Sequence, residues 1–439
     1  MAARLAGRVA GLIVLFAAAA ICGAAELAVG PGKEYSRIED ALAKAQAGDV
    51  ILVHPRPGNQ PYEKTAVFVA TPRITVRSAG PQRIKLSGQG FDYSGRGRIP
   101  RAIFQFNPGA DGCVLEGFEL YGAHNDSHNG AGVRINQAND VTVRNCHIHG
   151  NDMGVMSNGN GTPTAGVNQL FESCLICSNG DPREPGYNHN LYLGGTSATL
   201  LGCEVHSSLT GHNVKSRAHL TRVIACYIHD SSNREFDLVD AKGDTTAPLS
   251  DAVLAGNIIV KARNCRGNRA VIHFGQDGGN EHDGTIHLVH NTIVTPYISP
   301  VVHLSAGRAR ASLTNNIVWD GGQRQNAQKL IETAKGRPAN QAAGGSNNYL
   351  SPGFGGGDLS FLGRTILAPP GHAPPFADPA KGDFHLKRPD PKITGAGIPL
   401  SEEIRKVWGE KVLGYVSPLK TRERKAVPRP ALGAFEPTE

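Results

Sequence analysis

The chain is short of the materials of a helical or a disulfide-stapled protein. Aromatic residues make up 6% of its 439 positions, with only 2 Trp among them, and there are 3 Met. Amphipathic stretches long enough for paired helices are nearly missing, which excludes helical bundles and helical-repeat solenoids, whose units each need apolar-faced helices. Beyond the first two dozen residues no apolar run is long enough to span a bilayer, so no transmembrane segment is expected. There is no helix-turn-helix, zinc-finger or aromatic RNA-binding signature. The formal charge of +7 falls by two, to +5, once Arg4 and Arg8 leave with the leader described below. Scattered basic residues and a modest charge argue against nucleic acid as a partner and suit an acidic glycan.

Cysteine is scarce as well. Of 8 cysteines, Cys22 falls in the leader and an odd seven remain, which argues against a disulfide framework while leaving one bridge open. Cys174 and Cys177 form a CxxC pair, but no second pair follows at zinc-ribbon spacing.

Arg4 and Arg8, the apolar stretch 11–20 and the small residues Gly23, Ala24 and Ala25 read as a secretory signal peptide over residues 1–25. Export to the periplasm or the medium is expected. Ile21 stands where a lipobox wants a small residue, so lipid anchoring at Cys22 is not.

Glycine is plentiful, at 54 residues, and Val, Ile and Leu recur in short runs, as many short strands with tight turns require. Aligning those runs exposes a repeat. Gly117, Cys146, Cys174, Cys203, Cys226, Asn257, Asn291 and Asn316 occupy one position, at spacings of 29, 28, 29, 23, 31, 34 and 25 residues. A period in the twenties that wanders through insertions fits the coils of a parallel β-helix with variable loops. Stacked coils lie about 4.8 Å apart, so the cysteines should form an inward ladder continued by asparagines whose amides bond along the axis. Three residues after the ladder come His149, Cys177, His206 and His229, a column open to a metal reading or to simple recurrence of polar turn residues.

The expected division is a leader over 1–25, an N-terminal cap and first strands over 26–75, coils over 76–320, and loop-rich C-terminal coils and a cap over 321–439. The cap contains a predicted helix from Arg37 to Ala45. A terminal coil is expected through Asp383-Phe384-His385-Leu386, and Trp319 and Trp408 should pack the caps. The repeat resembles that of the pectin lyase-like superfamily of right-handed parallel β-helices over roughly 30–436. That resemblance implies an all-β solenoid, a monomer, and a polysaccharide partner.

A second strand precedes each ladder strand, and its alternation places Arg134, Met156, Tyr192, Lys215, Asp237, His273 and His303 outward in one column. Continuing the alternation puts Asn190, Asn213 and Glu235 two residues upstream on the same face, and Arg217 two downstream. His189 and His212 should line the rim, Arg234 is a further candidate for substrate binding, and the loop 181–188 with Tyr187 should wall one side. An outward face need only be polar, but here reactive types crowd consecutive coils.

Removal of a uronic acid C5 proton requires neutralisation of the carboxylate, a base, and a proton for the leaving oxygen. Arg217, Asn190 and Asn213 suit the first, Lys215 or His273 the second, Tyr192 the third. Arg217 would depress the Lys215 pKa and Asp237 would raise it.

Asn213-Val214-Lys215-Ser216 resembles the Lys-Ser strand of the β-helix alginate and chondroitin lyases. The resemblance implies that Lys215 is the base, that an arginine of the following coil, Arg234, is the acid, and that calcium, held by Glu235 and Asp237, assists neutralisation. Arg234-Glu235-Phe236-Asp237 departs from the Arg-His-Gly strand expected there. Two other readings stand beside elimination. Glu235 and Asp237 could serve as an inverting hydrolase pair, although the Asp-Asp and Gly-His-Gly motifs of polygalacturonases are missing. Alternatively, the face binds glycan without catalysis, its charges neutralising one another.

Overall fold

The computed structural model describes residues 23–239, 250–277, 282–322, 327–334, 336–408, 412–424 and 427–436. Residues 1–22 of the expected leader, with Arg4, Arg8 and Cys22, lie outside them. Among the described residues no helix is long and apolar enough to cross a membrane.

Among the described residues, three parallel sheets of 13, 11 and 10 strands stack coil on coil. Each coil gives one strand to each sheet. Leu191–Leu193 lies in the ten-stranded sheet, Ser197–Leu201 in the thirteen-stranded one and Glu204–His206 in the eleven-stranded one. The next coil repeats this with Val214–Ser216, Leu220–Ile224 and Tyr227–His229, each paired in parallel with its predecessor. Strands this short carry two inward side chains apiece, here Val, Leu, Ile and Phe at or near zero exposure. Burying each such side chain contributes roughly 1.5–3 kcal/mol, and stacking makes the core continuous.

The corner between the thirteen- and eleven-stranded sheets explains the ladder. Asn145, Ser173, Ala225, His290 and Asn315 turn the chain there with φ of 50, 53, 51, 53 and 60°, and the following residue points inward. Cys203 Sγ donates to Phe171 O at 3.2 Å, and Cys226 N–H donates to Asn257 Oδ1 at 2.8 Å. From there Asn257, Asn291 and Asn316 each donate to the next amide oxygen at 2.9–3.0 Å, ending on Asn348, a rung the alignment missed. Each oxygen also takes the backbone N–H of the previous rung, as Asn291 does for Asn257 at 3.0 Å. The amides thus satisfy backbone groups that the corner removes from the sheet ladders, offsetting a left-handed turn that costs a non-glycine residue roughly 1–2 kcal/mol. The seven cysteines among the described residues are buried and unbridged.

Gly117 is misaligned by one residue. It is the left-handed corner itself (φ 84°), and the pairing of His147 with Glu119 puts Phe118 opposite Cys146.

Both ends differ from expectation. The predicted helix is five residues, Ile38–Leu42, with Ile38 and Ala41 buried against the first strands. The coils run past residue 320 to Ile366–Leu367, inside the segment expected to hold C-terminal coils. The predicted terminal coil is instead an antiparallel hairpin, Phe376–Asp378 with Asp383–Leu386. It packs on the outer flank of the coils with Ile258, Ile317 and Tyr349. Trp408 likewise covers outward Val253, Ala255 and Val289. Coil side chains apolar on both faces demand such a cover, which a repeat alignment does not reveal.

Candidate functional site

The ten-stranded sheet carries the column, and its register is unbroken. Met156 pairs with Arg134 and Tyr192, Tyr192 with Lys215, Lys215 with Asp237, Asp237 with His273, and His273 with His303. Flanking residues such as Leu191, Leu193, Val214, Ser216, Phe236 and Leu238 point inward, at 2% exposure or less.

The alternation does not extend upstream, and here three expectations fail. Asn190, Asn213 and Glu235 are fully buried inside the corner and do not face the groove. The chain bends as it enters each strand, so the residue two before the column changes sides. They form a second polar ladder. Asn179 donates to Asn190 at 2.9 Å, Asn190 to Asn213 at 2.9 Å, and Asn213 to Glu235 Oε2 at 2.6 Å. The buried ammonium of Lys261 closes it, 3.9 Å from Glu235 Oε1. Burial pushes the Glu235 carboxyl up to about 7, with Lys261 opposing. Asn190 and Asn213 therefore cannot neutralise a substrate, and Glu235 cannot partner Asp237 in hydrolysis.

The same change of parity brings the residue three before the column onto the groove's flank. His189 and His212 stack there at 5.0 Å, yet at 2% and 6% exposure they form a wall rather than a rim. His189 Nδ1 accepts the His212 backbone N–H at 3.0 Å, and His212 Nδ1 accepts that of Arg234 at 3.2 Å. With Nδ1 an acceptor in each, the neutral rings carry their hydrogens on Nε2. Burial, chiefly, keeps both pKa values below the usual histidine range, at about 4 for His212. Arg234 reaches into the groove and bonds Asp237 Oδ1 at 3.0 Å.

Asp237 is the hub. It accepts Lys215 Nζ at 3.0 Å and faces His273 Nδ1 at 2.7 Å, with His212 Nε2 at 3.6 Å. Burial opposes its charge, but His273, His212 and Lys215 hold its pKa well below the carboxylate range. Burial likewise disfavours the Lys215 ammonium, and Asp237 with Asp277 reverses this, so its pKa is raised. Lys215 thus holds its proton. Both Asp237 oxygens are engaged by cationic or N–H groups and Glu235 is enclosed, so this pair does not fit a calcium ion, which needs uncompensated oxygens.

Two residues here were not singled out from the sequence. Asp277 follows the strand Ile272–Gly275 and bridges Lys215 Nζ and Arg217 Nη2, each 2.7 Å from Oδ2. Ser305 lies two residues after His303, its Oγ 2.6 Å from His273 Nε2. Both sit just past strand ends, where periodicity stops. Arg217 Nε donates to the Tyr192 oxygen at 2.9 Å.

On the eleven-stranded sheet His149, Cys177, His206 and His229 are in register. Ligand atoms of Glu119, His147 and His149, and of Glu204, His206 and His229, lie within 4.8 Å of one another. Most of these atoms already have partners: His149 has Glu119, His147 has Cys177, and His229 has Glu204 and Asp230.

No protein-family model and no curated protein sequence matches the chain. Solved structures do resemble it. A pectate lyase shares 15% identity at a TM-score of 0.54 over 95% of this chain and 98% of its own. For a rhamnogalacturonan lyase the values are 13%, 0.52, 87% and 98%. For the catalytic unit of an α-1,3-glucanase from Streptomyces thermodiastaticus they are 16%, 0.50, 76% and 62%. At these identities the likeness is one of fold: the chain has the parallel β-helix fold.

Proposed function

We propose that the chain is a carbohydrate-active enzyme that cleaves a uronate-containing polysaccharide by β-elimination. The observation that carries this reading is the clasp of one carboxylate, that of Asp277, between Lys215 and Arg217. A uronate carboxylate offers the same oxygens, and its charge must be neutralised before the C5 proton is acidic. The fold is one that pectate and rhamnogalacturonan lyases also have, which is consistent with this chemistry without requiring it.

The proposed roles follow from which groups are available. Lys215, protonated, acts with Arg217 as the neutralising pair rather than as the base. His273 is engaged at both nitrogens, and His303 is three strand spacings, about 14 Å, from Lys215 along the column. Tyr192, beside the clasp, is left to act in its phenolate form: it takes the C5 proton, becoming the phenol, and gives that proton to the leaving oxygen, which restores the phenolate. Arg217 Nε fixes the phenol oxygen beside the clasp.

The test is incubation with a panel of acidic polysaccharides, following the ultraviolet absorbance of an unsaturated uronate together with new reducing ends. Rising absorbance is expected. Reducing ends without absorbance would replace elimination by hydrolysis, and silence in both would leave a glycan-binding protein.

A further inference from the structure

His273 is held at both ring nitrogens, by Asp237 Oδ1 at 2.7 Å and Ser305 Oγ at 2.6 Å. The partners place the protons. The Asp237 carboxylate only accepts, so the neutral ring carries its hydrogen on Nδ1 and presents a lone pair at Nε2. Ser305 Oγ already accepts the Gln276 backbone N–H at 2.9 Å, so its own hydrogen goes to Nε2. The three side chains come from consecutive coils, with Asp237, His273 and His303 directly paired. Close packing enforces the approach: a Cβ on Gly275 would lie 2.2 Å from Ser305 Oγ. Asp237 and His273 are 3% and 6% exposed, while Ser305 is half-buried.

A carboxylate-oriented imidazole that accepts a serine hydrogen is the arrangement that makes the hydroxyl a nucleophile. We propose that Ser305, with His273 as its base and Asp237 positioning the ring, is an acyl-transfer centre that hydrolyses ester substituents, such as acetyl groups, on a polysaccharide in this groove. The bond broken differs from that of elimination, and the two activities share only Asp237 among their side chains. Ser305 Oγ bonds to the carbonyl carbon as its proton passes to Nε2. Collapse breaks the C–O bond to the sugar, whose oxygen takes that proton. Water, giving a proton to the same nitrogen, then attacks the acyl carbon, and the serine oxygen leaves with the proton as a hydroxyl, freeing the carboxylic acid.

The experiment is to treat the full chain with a fluorophosphonate and locate the adduct by peptide mass spectrometry. Acetate release from 4-nitrophenyl acetate and from an O-acetylated polyuronate is measured in parallel. A single adduct on Ser305 is expected, absent in Ser305→Ala and formed roughly 100-fold or more slowly in His273→Gln, with acetate release following the same order. Circular dichroism checks that the variants fold. A merely structural network would lower their melting temperatures while the wild-type protein took up no label. No Ser305 adduct on the folded wild-type chain, or undiminished acetate release in Ser305→Ala, overturns the proposal. The unsaturated product is read separately: its absence beside a labelled Ser305 removes the elimination reading and keeps this one.

Discussion

Asp277 and Lys215 meet across the groove, Oδ2 to Nζ at 2.7 Å, and Arg217 Nη2 meets the same oxygen at the same distance. The partners differ in burial. The Lys215 side chain is 11% exposed and that of Asp277 44%, so the acid is the member that an incoming carboxylate can replace.

Replacing Asp277 with Ala should therefore tighten binding of an acidic oligosaccharide, because an internal competitor for Lys215 and Arg217 is gone. Solvent screening at so exposed a site limits the gain to roughly threefold to tenfold. Calorimetric titration against a oligouronate measures it. Weaker binding would show that Asp277 helps to hold the sugar instead of standing in for it.

Tyr192 is the group asked to move the proton, so Tyr192→Phe should lower turnover roughly 100-fold or more while leaving the dissociation constant within a few-fold. The phenyl ring keeps its contact with His189, whose ring centre is 5.7 Å away. Turnover close to wild type would remove Tyr192 from the mechanism, and equal loss in turnover and affinity would make it a binding residue.

Asn213 tests the buried ladder. Its oxygen takes Asn190 Nδ2 at 2.9 Å and the Ser208 N–H at 3.3 Å, and its amide donates to His229 O at 2.7 Å and Glu235 at 2.6 Å. Asn213→Ala strands several fully buried groups, each costing about 1–3 kcal/mol, so unfolding free energy should fall by about 3 kcal/mol or more. Urea denaturation reads this directly. A stability unchanged within error would mean that the ladder is not enclosed.

The fate of Asn213 also marks how far the sequence could be read. Lys215, Asp237 and His273 fell on the outward face because a two-residue period inside a strand is set by the pleat itself. Asn213 and Glu235, two positions upstream, kept the period on paper but lie past the bend, where backbone direction rather than pleat decides the side chain's course. Gly117 slipped for a related reason, since a corner glycine and a ladder residue look alike when only spacing is aligned. Asp277 and Ser305 carried no signal: each follows its strand by a residue or two, and only the stacking of coils brings it to Lys215 or His273. The C-terminal hairpin was legible as strands but not as a cover, because an antiparallel return along the flank leaves no trace in the repeat.

His229 offers a test by pH. Its ring stacks on His206 at 4.7 Å and Tyr227 at 4.1 Å, and its nitrogens meet Asp230 Oδ2 at 2.8 Å and Glu204 Oε1 at 3.3 Å. Glu204 is held in turn by the Tyr415 hydroxyl at 3.2 Å. Burial alone would lower the His229 pKa, but the two carboxylates override it and raise it to about 9 from an ordinary 6.5. A folded-state pKa above the unfolded one means that the native state binds the extra proton, so the stabilisation is complete below about pH 6.5 and fades as pH climbs through about 9. Its ceiling is on the order of 3 kcal/mol. His229→Gln should then be less stable than wild type by most of that amount at pH 6, and the gap should narrow strongly by pH 9.5, in paired urea melts. Glu204 and Asp230, whose pKa values are depressed first of all by His229, titrate on the acid side of this window and do not blur it. A gap that stays constant between the two pH values would show that His229 is neutral in the native protein and that its contribution is packing against Tyr227 rather than charge.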